Sequence, residues 1–189
     1  MSRRFPIGAT IIVVAACLVM LGLGVWQLAR AEEKEELIAT AIAAQQMREE
    51  AAWPDTEEQV EEALYRRSSL TCSRVAAYGA VAGTRQDGAK GWAQRATCID
   101  NSGREFIADI GWSRAPQQPD WDGGPLLGVI APGPRLVADP PVVGLEPLAL
   151  PDPRELPNNH VAYAVQWFIF AIVAFVIYLI SLRRRNRSD

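Results

Sequence analysis

Two long apolar runs frame this chain, and the positions between them are polar and acidic. The first run covers residues 7–25. The second covers residues 161–182, which are 22 consecutive residues without a charge. That length makes a helix of about 33 Å, enough to cross a bilayer, and both runs read as transmembrane helices. Between them the pattern changes three times. In residues 31–47 a narrow apolar stripe of Leu37, Ile38, Ala41 and Ile42 follows Glu32, Glu33, Lys34, Glu35 and Glu36. No Gly or Pro interrupts residues 26–48, so the first membrane helix is expected to continue outward as one rod, its acidic run a solvated face. Trp53-Pro54-Asp55 ends the rod. Asp55 or Thr56 can cap a second short helix reaching about residue 65, with Glu58 or Gln59 as capping-box partner. Past residue 67 the texture becomes β-type. A strand is expected over 69–81, turns at Asp87-Gly88 and Asn101-Ser102-Gly103, and a hairpin pairing 92–99 with 105–112. Residues 116–157 hold 11 of the 13 prolines. That density excludes helix and pushes strands to sheet edges, with short strands expected at 135–138 and near 145–150.

The pattern predicts a membrane protein in which two transmembrane α-helices, N- and C-terminal, enclose one exported α+β, mostly-β domain. Its expected parts are residues 1–6, a cytoplasmic N-terminus; 7–28, the first span; 29–160, the exported domain, helical at 29–66 and then β-rich; 161–182, the second span; and 183–189, a basic cytoplasmic tail. Charge supplies the orientation. Residues 30–160 carry 13 Lys and Arg against 21 Asp and Glu, a net of −8. The two ends carry Arg3, Arg4, Arg183, Arg184, Arg185 and Arg187 against one Asp, a net of +5. Cytoplasmic flanks retain Lys and Arg, so both termini are expected in the cytoplasm of an inner (plasma) membrane, with the middle periplasmic. An acidic middle argues against nucleic acid as a partner. A cleaved signal peptide is the competing reading of the first run. Its 19 residues exceed the usual core of ~7–15, and the nearby Ala29-Arg30-Ala31 has a charge where a cleavage site needs small neutral residues.

Chemistry is sparse. Cys17 lies in the first span, where a thiol behaves as a small apolar group. Cys72 and Cys98 fall in the exported part, an oxidising compartment on this topology. A disulfide between them and a pair of buried free thiols are both open. A Cys/His zinc site is not expected from one His and three Cys so placed. There is no Gly-x-Ser-x-Gly turn, no phosphate-cradling glycine loop and no Cys-x-x-Cys-His, so the chain does not read as an enzyme.

The sole histidine, His160, stands just before the second span, with Tyr163 and Trp167 following at helical spacing. It reads in two ways. It can be a polar anchor at the membrane boundary. It can also be the axial ligand of a haem at the outer bilayer edge, with Tyr163 and Trp167 packing the macrocycle, because a helix N-terminus disfavours a cation and neutral imidazole binds iron. Trp26, Gln27 and Arg30 lie at the matching depth on the first span. They are either interface anchors or the rest of the pocket wall, with Arg30 near a propionate. Gln166, inside the second span, is expected to seek the other helix or a partner protein in place of lipid.

Three stretches carry a family resemblance. Gly24-Val25-Trp26-Gln27-Leu28-Ala29-Arg30 looks like a Gly-x-Trp-Gln-x-x-Arg signature at a span exit. Asp109-Ile110-Gly111-Trp112 resembles a soluble-domain Gly-Trp motif. Asn158-Asn159-His160-Val161-Ala162-Tyr163-Ala164-Val165-Gln166-Trp167 looks like Asn-x-His-x-x-Tyr-x-x-x-Trp at the start of the second span. In this order and topology the chain resembles the Surf-one (Shy-one) family of cytochrome c oxidase assembly factors. The resemblance implies an inner-membrane chaperone of respiratory-chain biogenesis, not an enzyme. It implies haem a as a transiently bound cofactor, with His160 as the iron ligand. It also implies cytochrome c oxidase subunit I and haem a synthase as partners, and leaves a homo-oligomer open. The alternative is a membrane scaffold that stabilises an oxidase assembly intermediate and binds no haem. One departure stands out: the family's usual Asn-Arg-Gly-Trp is Asp109-Ile110-Gly111-Trp112 here, so no role for that Arg carries over.

Overall fold

The structure, a computed structural model, describes residues 6–188, with side chains through residue 185. The expectations resting on Arg3, Arg4 and the Arg187 side chain lie outside the described residues. In chain order the elements are α1 (Ile7–Gln45), α2 (Glu57–Ala63), β1 (Arg67–Cys72), β2 (Arg74–Thr84), β3 (Lys90–Ile99), β4 (Glu105–Ser113), β5 (Gly124–Ala131), β6 (Arg135–Ala138), a 3-10 turn at Pro153–Glu155, and α3 (His160–Ser188). They form two compact units. One joins the chain up to Leu37 with the chain from Pro157, and the other is Ile38–Leu156.

In the helical unit both α1 and α3 are long and apolar enough to cross a membrane. They pack antiparallel along a seam of small residues. Thr10 meets the Tyr178 hydroxyl, the Cys17 thiol donates to the Ala171 carbonyl at 3.6 Å, and the Asn158 amide donates to the Ala31 carbonyl at 3.3 Å. Thr10, Cys17, Gly24 and Ala31 recur every seven residues, as do Ala164, Ala171 and Tyr178. A seven-residue repeat keeps one face of each helix against the other. Gly24, Ala31, Ala164 and Ala171 are buried. A Cβ on Gly24 would lie 2.4 Å from the Phe168 ring, so the close approach needs glycine there. Gln166 does not face α1, one of the two partners expected for it. It stands two residues past Ala164, about 200° round the helix, and is exposed.

The second unit is a sheet domain with a short helix. Thr56 caps α2 by accepting from the Gln59 N–H at 3.3 Å, and Gln59 Oε1 accepts from the Asp55 N–H at 2.8 Å. The reciprocal half of the box therefore closes one residue early. The helix stops at Ala63, short of residue 65, because Tyr65 turns to φ +65° and gives its N–H to Ile130 O at 2.8 Å. The six strands run in the order β1-β5-β6-β4-β3-β2, antiparallel except for β4 with β6. β1 and β2 occupy opposite edges, yet only Ser73 separates them in sequence. Across a flat sheet those edges would lie about 24 Å apart, so the sheet is rolled and the chain turns its corner at Ser73. The Cys72–Cys98 disulfide, Cα to Cα 5.2 Å, clamps β1 to β3 across the same seam. The expected single strand over 69–81 is thus two strands.

The proline-rich segment also departs from expectation. It contributes β5 and β6, which lie inside the sheet and not at its edges. The prolines sit at strand ends: Pro125 near the start of β5, Pro132 and Pro134 between the strands, Pro140 after β6. The residues between them keep every ladder N–H. Residues 145–150 form no strand, only isolated bridges of Trp112 with Glu146 and Arg85 with Leu148, because Pro147 interrupts them.

A bulge in β4 divides the core. Gln94 pairs with Gly111 and Arg95 with Asp109, leaving Ile110 as the extra residue. Phe106, Ala108 and Ile110 face the main core with Cys72, Cys98, Leu126, Ile130 and Leu136. After the bulge Trp112 faces the opposite side, with Ala93, Val137 and Leu148. Gly111 has φ +153° and no room for a side chain against Leu145.

Candidate functional site

His160 opens α3 one turn before buried Ala164, which places it on the seam face and not on the outer face. The chain folds so because α1 and α3 pair antiparallel, bringing the Gln27 stretch of one beside the start of the other. The His160 Nδ1 lies 2.7 Å from Gln27 Oε1, across 133 residues of sequence. Both side chains are half-buried. A carboxamide oxygen only accepts, so the contact requires a proton on Nδ1, and in the neutral ring the lone pair then lies on Nε2. That is the form in which an imidazole ligates a metal. Asn158, two residues earlier, holds the Ala31 carbonyl, and its own buried Oδ1 has no partner among the described residues.

The other expected site residues are less engaged. Tyr163 and Trp26 are about half exposed, at 52% and 53%. Trp26 follows Gly24 by two residues and so stands about 200° from the seam. Trp167 packs edge-on against Phe170, ring centroids 6.1 Å apart. Arg30 is exposed and paired with Glu33 at 2.5 Å on its own helix. Of the pocket expected from the sequence, the helix pair joins His160 to Gln27. An amide at the depth of the only histidine was a visible signal, but the sequence assigned it to the wall and not to the imidazole.

The Gly-Trp stretch has a structural part in the sheet domain. Asp109, 4% exposed, grips Arg95 at 2.6 and 3.0 Å and Arg135 at 2.8 Å. The hydrogen bonds of Arg95 to Asp109 raise the Arg95 pKa against the effect of burial. Ile110 fills the main core where the family's motif has an Arg, and the Arg85 guanidinium covers the Trp112 ring at 5.1 Å. Among the described residues no group of three or more His, Cys, Asp or Glu side chains is placed to hold a metal ion.

The fold defines a two-span membrane protein with a rolled-sheet domain between the spans. The sequence profile of the SURF1 family matches residues 14–144, and the chain belongs to that family, known for cytochrome oxidase assembly. The match includes Gln27 and both disulfide cysteines and stops short of His160. No curated protein and no solved structure matches the chain.

Proposed function

We propose that this protein carries haem a to the catalytic subunit of cytochrome c oxidase, with His160 as the iron ligand. The observation that carries this reading is the place of the only histidine. It is half-buried in the helix seam at the start of a span, its Nδ1 engaged and its Nε2 bare. In this reading both termini are cytoplasmic, the sheet domain is periplasmic, and the membrane is the inner (plasma) membrane, as the charge distribution supports. Haem a is cargo here, an iron macrocycle handed on and not used. His160 supplies one axial nitrogen, and no second histidine exists in the chain to close the other face. A recipient's histidine can therefore take the iron from the open side. Tyr163, exposed three residues after His160 on the same helix, offers aromatic surface to the macrocycle. The partners are oxidase subunit I as recipient and haem a synthase as donor.

A second reading, a scaffold that holds an assembly intermediate without haem, is favoured by the extent of the family match, which leaves His160 outside. The two separate in cells that make the oxidase with a His160→Ala chain. The carrier reading expects oxidase of normal subunit composition but reduced haem a content. A fully haem-replete oxidase would favour the scaffold.

A further inference from the structure

We infer that Gln27 is a positioning residue that selects which nitrogen of His160 is free to bind a ligand. The inference rests on the carrier reading for its purpose, but not for its geometry. An imidazole has two nitrogens, and only the unprotonated one donates a lone pair. In water a neutral histidine side chain favours the proton on Nε2, which would block the outer nitrogen. Gln27 Oε1, 2.7 Å from Nδ1, draws the proton inward and reverses that preference. It also fixes the ring plane, since one strong contact on a half-buried ring leaves a single favoured orientation. The amide is held in its turn. Gln27 lies one turn from Gly24 and one turn from Ala31, both buried in the seam, so backbone packing sets its depth. The orientation of metal-binding histidines by a hydrogen bond to the second nitrogen is a general device, and losing such a partner costs about 10–100-fold in affinity.

Because His160 is the only histidine, labelling histidine with ¹⁵N gives the full chain a single imidazole signal set. The chain would be produced without haem, purified through a tag lacking histidine, and placed in lipid nanodiscs. Couplings from the ring nitrogens to the ring protons then report which nitrogen carries the proton. The parent is expected to carry it on Nδ1. Gln27→Ala is expected to move it largely to Nε2. Gln27→Glu keeps an acceptor at this position and, in spectra taken at a pH where the ring is neutral, should keep the proton on Nδ1 even if Gln27→Ala packs poorly. Commercial ferric haem added to the same samples should bind Gln27→Ala about 10–100-fold more weakly than the parent. A parent protonated on Nε2, or a Gln27→Ala chain with an unchanged tautomer, would overturn the inference. A parent with Nδ1 protonated that ignores ferric haem would support the positioning by Gln27 and overturn the carrier reading instead.

Discussion

The Asp100 side chain braces the turn between β3 and β4. Its carboxylate accepts from the Ser102 hydroxyl at 2.6 Å, the Ser102 N–H at 2.8 Å and the Arg104 N–H at 3.0 Å. The Ser102 hydroxyl leads in holding its pKa down to about 2. Asp87, in the turn between β2 and β3, is likewise held at about 2, chiefly by its hydrogen bonds from Arg85. An unfolded carboxylate titrates near 3.9. The folded values lie below it, so the stabilisation is full above about pH 4 and is lost as pH falls through about 2. The melting temperature of the sheet domain, followed by circular dichroism, should therefore drop between about pH 4 and 2. Asp100→Asn should flatten part of that drop. These turns were legible in the sequence because an Asp or Asn bonding to its own next few N–H groups is a local event. The partner of His160 was not. It depends on the rotation of two helices about one another, which no window of sequence contains.

The helix pair and the rolled sheet each rest on one close approach. Gly24 against Phe168 sets the distance between α1 and α3, and a larger side chain must force them apart. We expect Gly24→Leu to lower the oxidative cross-linking yield between Thr10→Cys and Tyr178→Cys, measured in a chain carrying Cys17→Ala, by severalfold. Gly22→Leu is the control, because nothing lies within 4 Å of a Cβ there, and its yield should match the parent. In the sheet the Cys72–Cys98 bond closes 26 residues of chain, worth about 3.5 kcal/mol by the loop-entropy estimate. A Cys72→Ala/Cys98→Ala double variant should lose about 2–4 kcal/mol in denaturant unfolding. The hairpin of β3 with β4 and the strand at β6 were legible from alternation and turn residues. The corner at Ser73 was not, since no Gly or Pro marks it and the bend arises from closure of the sheet. β5 was hidden by proline count. Density suggested edges, whereas the position of each proline at a strand end allows an interior strand.

Across the whole chain the partition into two apolar runs and a polar middle carried most of the architecture. Hydrophobic length and helix rise are nearly sufficient to define a span, and here they yield α1 and α3. The site was legible only in part: the sequence singled out His160 and its depth, while its imidazole partner came from the fold. The proposed orientation, with the sheet domain on the outer side, rests on the arginines and the acidic middle. A single-cysteine chain labelled at Val143, which is 93% exposed, should react with an impermeant maleimide in intact cells, once the three native cysteines are replaced by Ala. The claim that His160 binds the cargo has a more direct test. The full chain would be purified from cells that also make haem a, and its absorption spectrum compared with that of His160→Ala. The account predicts a haem a spectrum in the parent that is lost or strongly reduced in the variant. Equal haem occupancy with an unchanged spectrum in both would contradict it.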